Sequence, residues 1–176
     1  PDENVKAMRE TAKATGLTSA APSAATDARN AWKLAFGVAL FVALVFGVMI
    51  GNALVLDDAL LIRDNPSIKS LANLPRLFTS DYWAPHSPVG LYRPLVTLSY
   101  ALNHAAGGLD PRGYLALDLL LHAANAALAL LVLKRWTGNL AVSAAAAFLF
   151  AAHAVHAEVL ANVAAGRPEL MAAFFL

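Results

Sequence analysis

The run LAFGVALFVALVFGVMIGNALVL, residues 34–56, decides the fold of this chain, because it contains no charged side chain. At about 1.5 Å of rise per residue, a helix of this length crosses a bilayer core of about 30 Å. We therefore predict a first membrane span from Trp32 to Leu56, with Trp32 and Lys33 as interfacial anchors. Two adjacent carboxylates, Asp57 and Asp58, follow the run and would emerge at one membrane face.

The composition of the whole chain also favours an integral membrane protein. Of its 176 residues, 59% are hydrophobic and only 14% are charged, whereas soluble domains carry about 25% charged residues. The net charge is +1 and no basic stripe is interleaved with aromatic residues, so nucleic acid is not expected as a partner. The chain has no cysteine, which excludes disulfides, thiol chemistry and cysteine-ligated metals.

Three further apolar segments follow the first span. The second runs from about Gly113 to Leu133, a third begins at Leu140, and a fourth would begin at Pro168. We therefore predict an all-α polytopic membrane protein with about three transmembrane helices and the start of a fourth. Because residues 168–176 are too few to cross a bilayer, we expect the sequence to be a segment of a longer protein.

Positive charge sets the predicted orientation. Residues 1–30 mix charges with small polar residues and are predicted to form a flexible tail, and residues 31–176 are predicted to form the transmembrane domain. Lys and Arg cluster before the first span and again at Lys134 and Arg135. The positive-inside rule then places the N-terminus and these basic residues in the cytoplasm, with the acidic pair on the external face.

The external loop, residues 57–112, contains two helix-start signals. In Asn65-Pro66, the Asn suits the N-cap and the Pro the first helical position, and Arg93-Pro94 repeats the Pro signal. Apolar residues follow each signal at helical spacing. We predict short amphipathic helices over residues 66–78 and 94–106, lying in the membrane interface because neither is long enough to span.

Most polar clusters fall on the external face, at the ends of different spans, as an active site between helices would require. Their members are Asp57, Asp58, Tyr92, Arg93, His153, His156, Glu158, Arg167 and Glu169. The alternative is that charged residues lie there because interfaces solvate them. The adjacent carboxylates could supply a general base with an orienting partner, bind a divalent cation, or simply end the span.

Two Arg-Pro pairs, Arg93-Pro94 and Arg167-Pro168, place a guanidinium beside a Pro that is suited to begin a helix. Helix N-termini present unbonded N–H groups and the positive end of a dipole, and Arg adds bidentate reach. The pairs therefore suit a lipid phosphate or another polyanion. The alternative is an Arg that extends toward the lipid headgroups.

Two histidine-containing clusters remain. On one continuous helix His153 and His156 would share a face while Glu158 would point away, so we expect no zinc site and favour hydrogen bonding to a substrate or to the Asp57-Asp58 pair. Asp118, His122 and Asn125 form a stripe inside the second span. Intramembrane polar groups usually face other helices, so helix–helix adhesion is the main interpretation, and a transporter function is a weaker alternative.

Several motifs, in this order and spacing, resemble the N-terminal part of the transmembrane and tetratricopeptide-repeat O-mannosyltransferases and their bacterial relatives. The motifs are Asp57-Asp58, Asn65-Pro66, LFTSDYW at 77–83, YRPL at 92–95, LSYALN at 98–103, HAANA at 122–126, His153-x-x-His156-x-Glu158 and GRPEL at 166–170. The family consists of polytopic GT-C glycosyltransferases that take sugar from a polyprenyl-phosphate donor. The chain departs from the family pattern at Leu56, commonly aromatic, and at Ala154, commonly Pro.

The resemblance implies roles for individual residues. Asp57 would be the catalytic base or a substrate-orienting acid, supported by Asp58, and Arg93 and Arg167 would contact the lipid phosphate. Tyr92, His153, His156 and Glu158 are further candidates for substrate binding. We expect no cofactor, with a divalent cation at the acidic pair as the alternative.

Two functions remain open at this point. The first is the N-terminal portion of an inverting glycosyltransferase in a membrane, with the bacterial cytoplasmic membrane expected, whose partners are membrane lipids and the polyprenyl-phosphate donor. A GT-C fold needs more helices than this sequence supplies, so activity is not expected from this segment by itself. The second is a non-catalytic transmembrane subunit, derived from such a family and packed among other subunits of a respiratory, photosynthetic or similar complex.

Overall fold

The computed structural model describes residues 24–84, 86, 87 and 89–176, and every regular element among them is helical. The chain divides into two compact units, residues 1–30 and 31–176. Of the first unit, residues 24–30 are described and are the start of a helix. The rest of the predicted flexible tail lies outside the described residues.

Six helices of seven or more residues follow one another in the described part of the chain. They are α1 (Ala24–Phe46), α2 (Pro94–Gly107), α3 (Pro111–Thr137), α4 (Leu140–Ala152), α5 (Val155–Ala161) and α6 (Val163–Phe175). Two segments are long and apolar enough to cross a membrane, Ala25–Gly51 and Pro111–Thr137. Helices α4 and α5 meet at an angle of 52° and would form a third if counted as one broken span. The predicted all-α membrane class is confirmed at this level.

The boundaries of α3 follow from its flanking residues. The Asp110 side chain accepts a hydrogen bond from the Arg112 N–H at the start, where Pro111 loses no bond because first-turn N–H groups have no helical partner. Gly138 ends the helix with φ 68°, a left-handed conformation that glycine adopts without steric cost. Asn139 then caps α4 by accepting from the Ala141 and Val142 N–H groups.

Packing within the second unit centres on α3, which contacts both α4 and α6. Val38 and Val42 of α1 are fully buried in a core with Leu130 of α3 and Ala147 of α4. The first span lies nearer the N-terminus than predicted, since its helix begins at Ala24 and ends at Phe46, and a 3₁₀ turn, Gly47–Gly51, completes it before extended chain begins at Asn52. Glycines at both ends of that turn weaken the helix there.

The predicted helix over residues 66–78 is wrong as a single element. The chain forms two 3₁₀ turns, Pro66–Ile68 and Leu71–Asn73, followed by one α-helical turn, Leu74–Leu77. Ser70 caps the second of these turns, since its hydroxyl accepts a hydrogen bond from the Ala72 N–H. Pro75 has no N–H to donate in a continuous helix. The second predicted helix, over residues 94–106, is found as α2.

The start of the last helix also differs from the prediction. Helix α6 begins at Val163, capped by Asn162, and Pro168 lies inside it. Proline cannot donate to the carbonyl four residues before it, which is that of Ala164. That carbonyl instead accepts a hydrogen bond of 2.8 Å from the Tyr82 hydroxyl. A side chain from the 57–112 segment thus replaces the missing helical bond.

Helices α5 and α6 approach each other closely at Gly166. A Cβ atom added there would overlap the backbone carbonyl of Val159. We expect Gly166→Ala to destabilise the fold by roughly 3 kcal/mol, the upper end of overpacking costs, because a backbone group cannot rotate away. Gly37→Ala is the matched control, since nothing lies within 4 Å of its added Cβ. Unfolding in detergent micelles measures both, and equal stability of the two variants would contradict this close contact.

Candidate functional site

The acidic pair after the first span is held in a strained turn. Leu56 has a φ of 51°, a conformation that costs a non-glycine residue roughly 1–3 kcal/mol. Asp58 follows it, fully buried, and both of its carboxylate oxygens accept backbone N–H groups: Val55 at 3.0 Å and Ala164 at 2.6 Å. Burial raises the pKa of the Asp58 carboxyl above its ordinary value, against the opposing effect of those N–H donors. Asp57 remains partly exposed.

This geometry separates the two acids. A cation bound by the pair would have to displace backbone donors from Asp58, so the donor set does not fit the divalent-cation alternative. Among the described residues none donates a hydrogen bond to the Asp57 side chain, and this partly exposed carboxylate is the one of the two that a substrate can reach. Residues with strained backbone conformations cluster at functional sites, so the strained Leu56 supports a functional role for the adjacent Asp57.

Three side chains from the 57–112 segment hold the first turn of α6. Asp58 accepts from the Ala164 N–H, and the Tyr82 hydroxyl donates to the Ala164 carbonyl. The Tyr100 hydroxyl donates to the Val163 carbonyl at 3.2 Å and lies 3.0 Å from the Tyr82 hydroxyl. Burial raises the pKa of both tyrosines, so both remain protonated donors. We use the name α6 clamp for the side chains of Asp58, Tyr82 and Tyr100, together with the backbone groups of Val163 and Ala164 to which they are hydrogen-bonded.

Arg93 lies next to the α6 clamp. Its guanidinium carbon is 5.3 Å from the centre of the Tyr82 ring, a cation–π arrangement. Arg93 directly precedes Pro94, the first residue of the 14-residue helix α2. Among the described residues no carboxylate forms an ion pair with it. The predicted combination of a guanidinium and a helix N-terminus is therefore present at Arg93.

A groove opens between the start of α2 and the second half of α6. Its volume is about 450 Å³, within the range of ligand-binding pockets. Two charged residues line it, Arg93 from α2's start and Glu169 from α6. The other lining residues are Pro94, Leu95, Val96, Pro168, Met171, Ala172 and Phe175. The groove is thus mostly apolar, with a cation beside one helix N-terminus.

Arg167 does not share the environment of Arg93. It is fully buried, and its Nε donates to the Asp118 carboxylate of α3 at 2.6 Å. Its other nitrogens donate to the Asn103 amide oxygen, the Ser99 hydroxyl and the Tyr114 carbonyl, at 2.7, 3.2 and 2.7 Å. The predicted phosphate contact does not fit this position, because protein groups already use the guanidinium donors. Pro168 inside the helix removes the predicted helix start as well.

The stripe inside α3 connects helices, in agreement with the adhesion interpretation. Asp118 pairs with Arg167, and the Asn125 amide donates to the Leu170 carbonyl at 2.9 Å, both on α6. His122 lies 3.3 Å from the Ala151 carbonyl of α4. Sequence reasoning missed Arg167 as the partner of Asp118, although an intramembrane carboxylate is itself a signal that a cation faces it.

The predicted role of His153, His156 and Glu158 in binding substrate stays a prediction, and the structure gives the three side chains different surroundings. The chain breaks between α4 and α5 at His153, whose ring nitrogen accepts from the Val155 N–H. His156 lies against His122, with ring centres 4.2 Å apart and ring planes inclined by 37°. Glu158 lines a separate pocket with Glu169. Among the described residues no group of three or more His, Cys, Asp and Glu side chains could hold a metal ion.

The structure gives two tyrosines of the quoted motifs a role that was not predicted from the sequence. Tyr82 and Tyr100 belong to LFTSDYW and LSYALN, and their hydroxyls hold α6. Tyr92, which was predicted to bind substrate, is exposed and donates to the Phe78 carbonyl at 2.8 Å. A buried phenol needs a hydrogen-bond partner, but sequence spacing alone does not identify a backbone carbonyl far along the chain.

Several curated proteins are similar to this chain. Protein O-mannosyl-transferase TMTC2 of Mus musculus is 36% identical over 123 residues, which is 68% of this chain and 15% of that protein. Protein O-mannosyl-transferase TMTC3 of Homo sapiens is 34% identical over 127 residues, 69% of this chain and 13% of its own. Protein O-mannosyl-transferase Tmtc1 of Drosophila melanogaster is 34% identical over 122 residues, 66% and 14% respectively.

The chain therefore spans only 13 to 15% of the length of these relatives. No family model matches it. No solved structure matches it either.

Proposed function

This chain is a sequence relative of the transmembrane and tetratricopeptide-repeat O-mannosyltransferases, and from that premise we propose that it is the N-terminal portion of a membrane glycosyltransferase of GT-C type. The donor is a sugar, mannose by analogy with the relatives' names, carried on a polyprenyl phosphate. The reaction inverts the configuration at the anomeric carbon. The acceptor is a hydroxyl group.

The groove headed by Arg93 carries this proposal. A polyprenyl phosphate joins a long apolar chain to one anionic group. The groove pairs a mostly apolar lining, which also includes Glu169, with the Arg93 guanidinium at the N-terminus of α2, and no carboxylate among the described residues forms an ion pair with that guanidinium. Arg93 and the first N–H groups of α2 would bind the phosphate, since both favour anions. The isoprene units would lie along Leu95, Val96 and Met171. The Tyr82 ring holds the Arg93 guanidinium in position through the cation–π contact.

Asp57 would act as the general base in this reaction. Its carboxylate takes the proton from the acceptor hydroxyl as the oxygen attacks the anomeric carbon. The bond from that carbon to the phosphate oxygen breaks, and polyprenyl phosphate leaves with the electron pair. Attack from the side opposite the leaving group inverts the configuration. Arg93 stabilises the charge that develops on the departing phosphate.

Donor binding tests the proposal directly. In the complete gene product, we expect Arg93→Ala to weaken binding of polyprenyl-phosphate mannose by about 10- to 100-fold, the loss of one charge-assisted phosphate contact. Arg93→Lys should keep part of the affinity because the charge remains. The control is Arg63→Ala, an exposed Arg of the same loop that pairs with Asp64. Titration in detergent measures all three.

Two results would argue against the proposal. The first is equal donor affinity in Arg93→Ala and wild type. The second is a gene product that binds no donor, transfers no sugar and purifies with other membrane subunits. That second result would favour the non-catalytic subunit instead.

The proposed orientation places the groove and Asp57 on the external face and the N-terminus in the cytoplasm, as the Lys and Arg residues predict. Single cysteines at Lys69 and Arg135, both exposed, should be labelled by an impermeant thiol reagent from opposite sides. Labelling from the same side would contradict this topology. The relatives reported above are animal proteins, so the bacterial membrane stays a prediction from sequence.

A further inference from the structure

We propose that Asp58 and Tyr82 are positioning residues, which set the distance between the base Asp57 and the phosphate-binding Arg93 by holding one peptide group of α6. This inference rests on the proposed glycosyl transfer and assigns these two residues a function within it. Neither residue touches substrate in this account. Both act through Ala164.

The first observation is that two loop residues hold Ala164 from its two sides. The N–H of Ala164 belongs to the first turn of α6, where backbone donors have no helical partner, and it donates to Asp58 at 2.6 Å. The carbonyl of Ala164 has no helical donor because Pro168 occupies the fourth position after it. Tyr82 donates to this carbonyl at 2.8 Å. The N–H and the carbonyl of Ala164 therefore have no hydrogen-bond partner within α6, and Asp58 and Tyr82 supply their partners.

The second observation is that each of these loop residues is directly joined to a proposed catalytic or binding group. Asp58 is the neighbour of Asp57, and its second oxygen accepts from the Val55 N–H across the strained Leu56 turn. Tyr82 places its ring against the guanidinium of Arg93. A continuous path therefore runs from Asp57 through Asp58, Ala164 and Tyr82 to Arg93.

The third observation excludes a direct chemical role for Asp58. Its side chain is fully buried, and both oxygens are occupied by backbone donors. An acid or base must reach the proton that it moves. Asp58 instead links the Leu56 turn to α6, because one carboxylate oxygen accepts from the Val55 N–H and the other from the Ala164 N–H. Because a misplacement of about 1 Å can cost 10²-fold in rate, such a tether has a kinetic effect.

Two substitutions loosen this tether without touching substrate. Asp58→Asn keeps the size and shape of the side chain, but its NH₂ group cannot accept a hydrogen bond. One of the two backbone N–H groups therefore loses its acceptor. Tyr82→Phe removes the bond to Ala164 and keeps the ring under Arg93. The matched control is Tyr114→Phe, which also loses a hydroxyl bond to a carbonyl, that of Gly108, outside the α6 clamp.

The test measures kcat, donor Kd and thermal stability in the complete gene product. We expect kcat to fall about 10- to 100-fold in Asp58→Asn and about 10-fold in Tyr82→Phe, with donor Kd within about threefold. Tyr82→Leu should also weaken donor binding, since the ring under Arg93 is lost. Tyr114→Phe should keep kcat within about twofold.

Three outcomes would overturn the inference, and each is distinguishable. If kcat, donor affinity and thermal stability fall together in both variants, the residues only support the fold. If the wild type transfers sugar and both variants keep its kcat, Asp58 and Tyr82 do not position the site while the proposed function stands. If the wild type transfers no sugar to any hydroxyl acceptor, the proposed function fails and the positioning role fails with it.

Discussion

Replacing Asp57 with Asn in the complete gene product is expected to lower turnover by about 10²- to 10⁴-fold, the usual contribution of a general base. Donor affinity should stay nearly unchanged, because the amide keeps the shape of the carboxylate and Arg93 holds the phosphate. The loss falls on the transition state, so kcat and kcat/KM should decrease by the same factor. A sugar-transfer assay with a donor titration in detergent measures both.

The matched control for this variant is Asp64→Asn. Asp64 is an exposed acid of the same 57–112 segment, and its carboxylate pairs with Arg63 at 3.0 Å. Its replacement should leave turnover unchanged. Normal turnover in Asp57→Asn would refute the assignment of the base, and an equal loss in Asp64→Asn would show that the assay responds to loop charge in general.

The largest effect on stability is expected for Arg167→Met. The substitution removes the cation and leaves the Asp118 carboxylate in a fully buried position without its partner. Breaking a buried ion pair from one side costs about 3–5 kcal/mol. The guanidinium also joins α2, α3 and α6 through Asn103, Tyr114 and Asp118, so three elements lose a shared contact. Reversible unfolding in mixed micelles measures the change.

The double variant Arg167→Met/Asp118→Leu distinguishes the charge from the packing. Replacing both partners with apolar groups of similar size removes the buried charge, so most of the lost stability should return. Arg167→Lys should fall between wild type and Arg167→Met, because a single ammonium cannot reach every acceptor. A double variant that is no more stable than Arg167→Met would contradict a dominant role for the unpaired carboxylate.

Local signals in the sequence predicted the elements whose boundaries are set by neighbouring residues. The Pro94 start of α2 and the basic end of α3 at Lys134 and Arg135 are examples, since both depend on residues within one turn. The apolar composition likewise predicted the all-α membrane class. These features need no knowledge of which helix packs against which.

Two of the predictions that failed depended on distant contacts. Pro168 was predicted to begin a helix, but its missing N–H is compensated by Tyr82, which lies 82 residues before Ala164. Arg167 carries the same Arg-Pro signal as Arg93, yet only Arg167 faces a carboxylate inside the bundle. Identical local patterns can therefore lead to a buried structural ion pair or to a cation that lines a groove. The tertiary partner decides between them.

Photochemical cross-linking of the donor lipid tests the central claim most directly. A polyprenyl-phosphate mannose with a photoreactive group on its first isoprene units is irradiated with the complete gene product, and the labelled peptides are identified by mass spectrometry. The account predicts labelling of groove residues such as Leu95 and Met171, loss of the label with excess unlabelled donor, and strong reduction in Arg93→Ala. Labelling confined to other helices, or labelling of the groove that neither competitor nor Arg93→Ala reduces, would contradict it.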